Sequence, residues 1–226
     1  TVLGVLILLA HSLPVEQRIV QRAGGGFLLL TALRIVGGYL LAYIMFRIYA
    51  AADLLQEPVQ IIYLPLPTSD TGWLSWVVES SKTLIVIFFI ILGLIAILRL
   101  MDVLGITKFL TSFLAPVLSF MGISKLACNM TLSGALLGLA FGGALIIKET
   151  QSGNLSPKDI FLSLAFLCLC HGIIEDSIFV MALGADISGV LFARLIFTLV
   201  IMYLLGKIIH AIPDALFERY LFRTRY

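Results

Sequence analysis

Long apolar stretches interrupted by short polar phrases set the pattern of this chain. Residues 27–49, 84–100, 126–147 and 187–209 reach or approach the ~20 residues that a helix needs to cross a hydrocarbon core of about 30 Å. Between the first two lies residues 50–82, which carries Asp53, Glu57, Asp70 and Glu79 but no basic residue before Lys82. Pro58, Pro65, Pro67 and a Thr-Ser-Asp-Thr-Gly cluster ending at Gly72 mark it as a loop, with residues 58–66 dipping along the interface. Residues 109–121 form a short apolar run that includes Pro116, which predicts an interfacial or re-entrant piece. Ser124 is placed to cap the helix that follows, and Ser156-Pro157-Lys158-Asp159 has the order of a helix start: a capping hydroxyl, a proline at the first turn, then an acid.

The polar phrases repeat. His11-Ser-Leu-Pro-Val-Glu16 is matched by His171-Gly-Ile-Ile-Glu-Asp176, and at the same offset Gly24 matches Gly184, Arg34 matches Arg194, Tyr43 matches Tyr203 and Arg47 matches Lys207. Apolar coincidences between membrane segments are cheap; a gapless match of histidine, acid, glycine, arginine and tyrosine is not. The chain therefore contains an internal duplication. Residues 76–160, which precede the second phrase, have no counterpart before His11, so the symmetry of repeat-built transporters leads us to expect roughly 80 further residues upstream in the native or ancestral protein. The domains expected are a truncated first repeat over 1–49, an outward loop over 50–82, a second repeat over 83–210 and a basic tail over 211–226.

Composition agrees with a lipid environment. The chain is 61% hydrophobic and 12% charged, where a soluble domain carries about a quarter charged residues. A net charge of +2 without a basic, aromatic-interleaved patch speaks against a nucleic-acid partner. Cys128, Cys168 and Cys170 lie inside apolar segments and form no disulfide framework. The basic residues set orientation. Arg219, Arg223 and Arg225 put the C-terminus in the cytoplasm, Arg18 and Arg22 put the exit of the first phrase on the same side, and the residues around 50–81 and 184–189 face outward. The two repeats are then inverted. Counting crossings between the outward segments makes 160–184 a re-entrant helical hairpin with Cys170-His171-Gly172 at its tip; one broken spanning helix is the alternative. The predicted fold class is an all-α, polytopic membrane protein with inverted internal repeats and that hairpin.

Ionisable groups at membrane depth are costly and point to function. His11, Glu16, His171, Glu175 and Asp176 are the candidate substrate-binding residues, His171 and Glu175 being four apart and on one face if the segment is helical. Arg34 and Arg194 sit deep in their helices and are expected to form structural ion pairs with Glu16 and Asp176. A metal site from His171, Glu175 and Cys170 is an alternative; Cys168 would point to the other side of the helix. No second histidine completes a metalloprotease motif after His171, no phosphate loop is present, and Ser12 and Ser177 lack a nucleophile context, so neither an enzyme nor a cofactor is expected. The small residues of 126–147, with Gly134 and Gly138 in GxxxG spacing, predict close helix approach or an interface for a second copy or another membrane partner.

On the two histidine phrases with Gly24, Gly184 and Arg34, and on the glycine-rich helix over 132–146, the chain resembles the nucleoside-recognition, or Gate-domain, membrane protein family. Related segments occur in concentrative nucleoside transporters, the ferrous-iron transporter and spore-maturation proteins. The resemblance implies a bacterial inner-membrane protein with a transporter-like core. Three functions stay open on the sequence: a secondary transporter for a small polar, nucleoside-like solute; a divalent-metal permease; and a membrane assembly or regulatory subunit that transports nothing.

Overall fold

The computed structural model describes residues 1–57 and 72–222. The expected interfacial dip over 58–66 lies outside those residues. Among the described residues all regular structure is helical, in the order α1 (Val2–Ala10), α2 (Leu13–Arg22), α3 (Phe27–Ala51), α4 (Trp73–Val103), α5 (Ile106–Phe120), α6 (Lys125–Leu137), α7 (Leu139–Ser152), α8 (Pro157–Cys170), α9 (Glu175–Ala182), α10 (Arg194–Ala211) and α11 (Asp214–Tyr220). A π-helical turn, Ser188–Ala193, leads directly into α10. Among the described residues five runs are long and apolar enough to cross a membrane: Val2–Arg22, Phe27–Ala51, Trp73–Val103, Pro157–Ala182 and Ser188–Ala211. The protein is a multi-pass, all-α membrane protein.

Two of the five runs are broken at the histidine phrases. α1 stops at His11, which is extended (φ −79°, ψ 165°), and Ser12 then turns through left-handed space (φ 48°, ψ 23°). Pro14 explains the stop: it has no N–H to continue the ladder, and its ring would strike the carbonyl one turn back. The second break has no proline. His171 is extended in the same way (φ −98°, ψ 164°), and Gly172 makes the left-handed step (φ 57°) that costs glycine little.

The second phrase does not form a hairpin. Lys158, at the start of α8, donates to the carbonyl of Ile212 beyond the end of α10 at 2.7 Å, whereas Ser177 in α9 donates to Val190 in the turn that opens α10 at 3.5 Å. Residues 157–182 thus run beside α10 from one end to the other, a single broken crossing. α8 is the axis of the bundle. It is apolar all round and buried from Ile160 to Cys170, as a helix without a polar face must be.

The hairpin lies one segment earlier. Residues 126–147, expected to cross once, fold back at Gly138 (φ 93°) into antiparallel α6 and α7, each roughly 20 Å long and short of the ~30 Å core. Gly134 and Gly142 make the close contact: a β-carbon on Gly134 would fall 2.7 Å from the Gly142 Cα. Both feet sit at the start of α8, where Asp159 accepts from the Ser124 backbone N–H and from the Ser156 hydroxyl, each at 2.7 Å. Ser124 and Ser156 cap α6 and α8 as their positions predict. The tip reaches the break in α8, where Ile173 N–H donates to the Ala135 carbonyl at 3.0 Å. A hairpin adds no net crossing and a broken helix adds one, so the even count between the two acidic segments is kept with the two features exchanged.

The broken crossings lie antiparallel. At one end the Asp186 N–H donates to the Thr1 hydroxyl and Tyr49 hydrogen-bonds Ser188, both at 2.8 Å. At the other end Gly25 pairs with Phe222, and Phe217 packs edge-on against Phe161 at 5.5 Å. Tyr49 and Asp186, which border or lie in stretches free of Lys and Arg, are at the first end, and Arg22, Lys158 and Arg219 at the second. α4 stands apart, with Leu94 its one buried residue among those described.

Candidate functional site

Breaking a spanning helix strands the last carbonyls of its first half, where an unsatisfied group costs several kcal/mol. Arg34 answers this for α1, donating from Nε to the Leu9 carbonyl and from Nη2 to the His11 carbonyl, both at 2.7 Å. Arg194 repeats the arrangement for α8, reaching Leu169 at 3.1 Å and His171 at 2.8 Å. Both guanidinium groups are buried. Their positive charge also suits the negative end of a helix dipole. This accounts for two arginines at membrane depth.

With the breaks fixed, the two histidines meet. Nε2 of His11 lies 3.4 Å from Nε2 of His171, with the ring centroids 5.1 Å apart. The Nδ1 atoms are each committed one turn back, to the Ile7 carbonyl at 3.1 Å and the Leu167 carbonyl at 2.7 Å. A carbonyl only accepts, so each Nδ1 carries its hydrogen, and in the neutral imidazole Nε2 is then the nitrogen with the lone pair. Glu16 completes the cluster: Oε1 lies 3.5 Å from His11 Nε2 and 3.3 Å from His171 Nε2, and Oε2 is hydrogen-bonded by Arg34. Asp176 Oδ2 stands 3.9 Å from His11 Nε2 and 4.0 Å from His171 Nε2. That oxygen is buried and forms no hydrogen bond. The His171 side chain is 3% exposed and that of His11 27%, so the cluster opens towards His11 and Asp176.

Four of the five expected binding residues, His11, Glu16, His171 and Asp176, therefore converge. Glu175 does not: it makes no hydrogen bond or ion pair among the described residues. Its spacing from His171 implied a shared face only for an unbroken helix, and the extended conformation of His171 removes that premise. Cys170 is buried and lies outside the group of ligand atoms, so the expected metal set of His171, Glu175 and Cys170 is replaced by His11, Glu16 and His171.

The expected ion pairs also split. Arg34 pairs with Glu16, but Arg194 and Asp176 form none, and Arg194 keeps a buried Nη1 without a partner. Asp is one methylene shorter than Glu, and its carboxylate folds back over Gly172, where a β-carbon would fall 2.6 Å from the Asp176 Cγ. The matching position in the first phrase is Ser12, whose β-carbon excludes that fold. Sequence reading missed the contact between the histidines; the matched phrases that carry them were its signal. It also missed Gln17, buried against Cys168 at 3.7 Å.

Cavities of about 540 Å³ and 480 Å³ lie elsewhere. The first is bordered by Tyr49, Gln56 and Asp186, the second by Gln21, Phe27 and Tyr220, and neither is lined by a histidine.

No family model matches the chain, and no solved structure matches it. It is similar to the uncharacterized membrane protein YvoD of Bacillus subtilis (strain 168), with 23% identity over 198 residues. The match covers 85% of this chain and 62% of that relative, so the chain spans less than two thirds of its length.

Proposed function

We propose that the chain is the core of a membrane permease, and that its cargo is a small cation held where the two broken helices meet. One observation carries this reading: two imidazole Nε2 atoms each lie within 4.0 Å of both carboxylates, with Arg34 neutralising only one of the acids. A site at a helix break offers polar groups at the depth where a crossing ion has no water, and antiparallel pairing of such breaks suits alternating access. We take the pairing as an inverted duplication. By the distribution of Lys and Arg we place the C-terminus on the cytoplasmic side of a bacterial inner membrane.

The resemblance to Gate-domain proteins fixes no substrate; a nucleoside-like solute and a divalent metal are both compatible with it. A cation is favoured because the hydrogen-bond donors at the cluster are already committed: both Nδ1–H groups to backbone carbonyls, and Arg34 to Glu16 and two carbonyls. At the four clustered side chains a nucleoside would meet acceptors, with the buried Nη1 of Arg194 an uncommitted donor behind them. We read the chain as a carrier rather than an enzyme.

Purified protein in liposomes loaded with a metal-sensitive dye, assayed in parallel with radiolabelled nucleosides, tests the reading. Cation entry that falls with His171→Ala is expected. Nucleoside flux without cation flux, or no flux of either, would reject it.

A further inference from the structure

The cluster has a shape as well as a charge. The three distances among His11 Nε2, His171 Nε2 and Glu16 Oε1 are 3.4, 3.5 and 3.3 Å. A tetrahedron with metal–ligand bonds of about 2.0–2.1 Å has edges of roughly 3.3–3.4 Å. Three ligand atoms already stand at the corners of such a figure. Asp176 Oδ2 stands 3.9 and 4.0 Å from the two nitrogens but outside the group, all within 4.8 Å of one another, that the other three form, so its side chain has to swing inward to supply a fourth ligand.

The surroundings match what metal sites require beyond their ligands. Metal-bound histidines donate their other ring N–H to a carbonyl or carboxylate, which fixes the tautomer and aims the lone pair. His11 and His171 do this through Ile7 and Leu167. Ligating carboxylates are themselves held, and Arg34 holds Glu16 by its second oxygen. Asp176 Oδ2 is buried with no hydrogen-bond partner, and such a group calls for an explanation.

We infer that His11, His171, Glu16 and Asp176 form a four-coordinate site for a divalent transition metal of the zinc type. It rests on the cation-permease reading only for the metal's role as cargo; binding and flux are read separately, so either can fail alone. The two imidazoles set the class. Nitrogen ligands suit zinc and its transition-metal neighbours, while Mg²⁺ and Ca²⁺ take six or more oxygens. The ligands come in equal shares, one histidine and one acid from each repeat, so the metal would sit on the seam between the halves.

Cobalt(II) substitution tests this on the full chain in detergent. The intense visible absorption of tetrahedral cobalt is expected, saturating at one equivalent and abolished by zinc but not by excess magnesium. His11→Ala and His171→Ala should each weaken zinc binding on the order of 100-fold or more, and Asp176→Asn at least tenfold, since outer-shell partners alone command 10–100-fold. Glu175→Gln and Cys170→Ala should leave affinity unchanged. X-ray absorption at the zinc edge of the unaltered protein covers the case in which a histidine variant fails to fold: two imidazole and two oxygen neighbours, with no sulfur, are expected. A six-coordinate cobalt spectrum, displacement by magnesium, a sulfur neighbour, or wild-type affinity in His11→Ala would each overturn the assignment.

Discussion

Ser12 and Gly172 make the same left-handed turn, at φ 48° and 57°, one residue after the histidine of each broken helix. The serine bears the strain of that conformation, about 1 kcal/mol at the low end for a non-glycine residue. Ser12→Gly relieves it but adds chain entropy worth roughly 0.5–1 kcal/mol to the unfolded state, so the two effects nearly cancel. Gly172→Ser has no such compensation, because its β-carbon meets the Asp176 carboxylate. We predict a thermal midpoint near wild type for Ser12→Gly, and for Gly172→Ser a loss of about 1–3 kcal/mol together with weaker zinc binding. Unfolding in detergent and the cobalt titration measure both.

The two buried arginines should differ in weight. Arg34→Met strands the Leu9 and His11 carbonyls and leaves Glu16 a buried charge without its partner, a loss of about 3–5 kcal/mol. Arg194→Met strands two carbonyls and no acid, so about 1–3 kcal/mol is expected. Lysine should rescue neither, since one ammonium lacks the planar fork that reaches both carbonyls. Equal losses for the two methionine variants would show that the Arg34–Glu16 pair adds nothing.

Across the α6–α7 hairpin, Gly142→Val must push apart backbones that already touch, and overpacking of about 1–3 kcal/mol or more follows. Gly93→Ala is the control. It lies on α4 with open space beside it, and alanine in a helix gains roughly 0.5–1 kcal/mol over glycine. Parallel thermal scans separate the two.

Because the hairpin's feet lie together, cysteines placed at the exposed positions Lys125 and Ser152 should react with an impermeant maleimide from the same side of an oriented vesicle. A cysteine at Asp53 should react from the opposite side. The three native thiols are buried and should stay silent. Labelling of Lys125→Cys and Ser152→Cys from opposite sides would replace the hairpin with a crossing.

What could be read in the sequence follows from how local each cause is. Ser124 and Ser156 cap helices through bonds three residues long, so their residue types suffice to find them. Pro14 stops α1, whereas Pro116 is carried inside α5, so a proline alone does not mark a break. The fold at Gly138 is different. An apolar run of bilayer length reads as a crossing, and only the packing of Gly134 on Gly142 and the anchoring of both feet by Asp159 reveal that it turns back. The site was legible as a pair of phrases but not as one place. His11 and His171 are far apart in the chain, and their contact depends on the antiparallel docking of two segments whose helical periodicity ends at those residues. Glu175 was misread for that same reason.

The seam between the halves also constrains how the chain can change. A duplicated gene usually frees one copy to drift while the other keeps the task. On the duplication we propose, each half holds one nitrogen and one carboxylate of a single cluster, 3.4 Å apart at the nitrogens, so neither half is a spare. We expect a substitution at His11 to be compensated across the seam, beside His171, rather than within its own half.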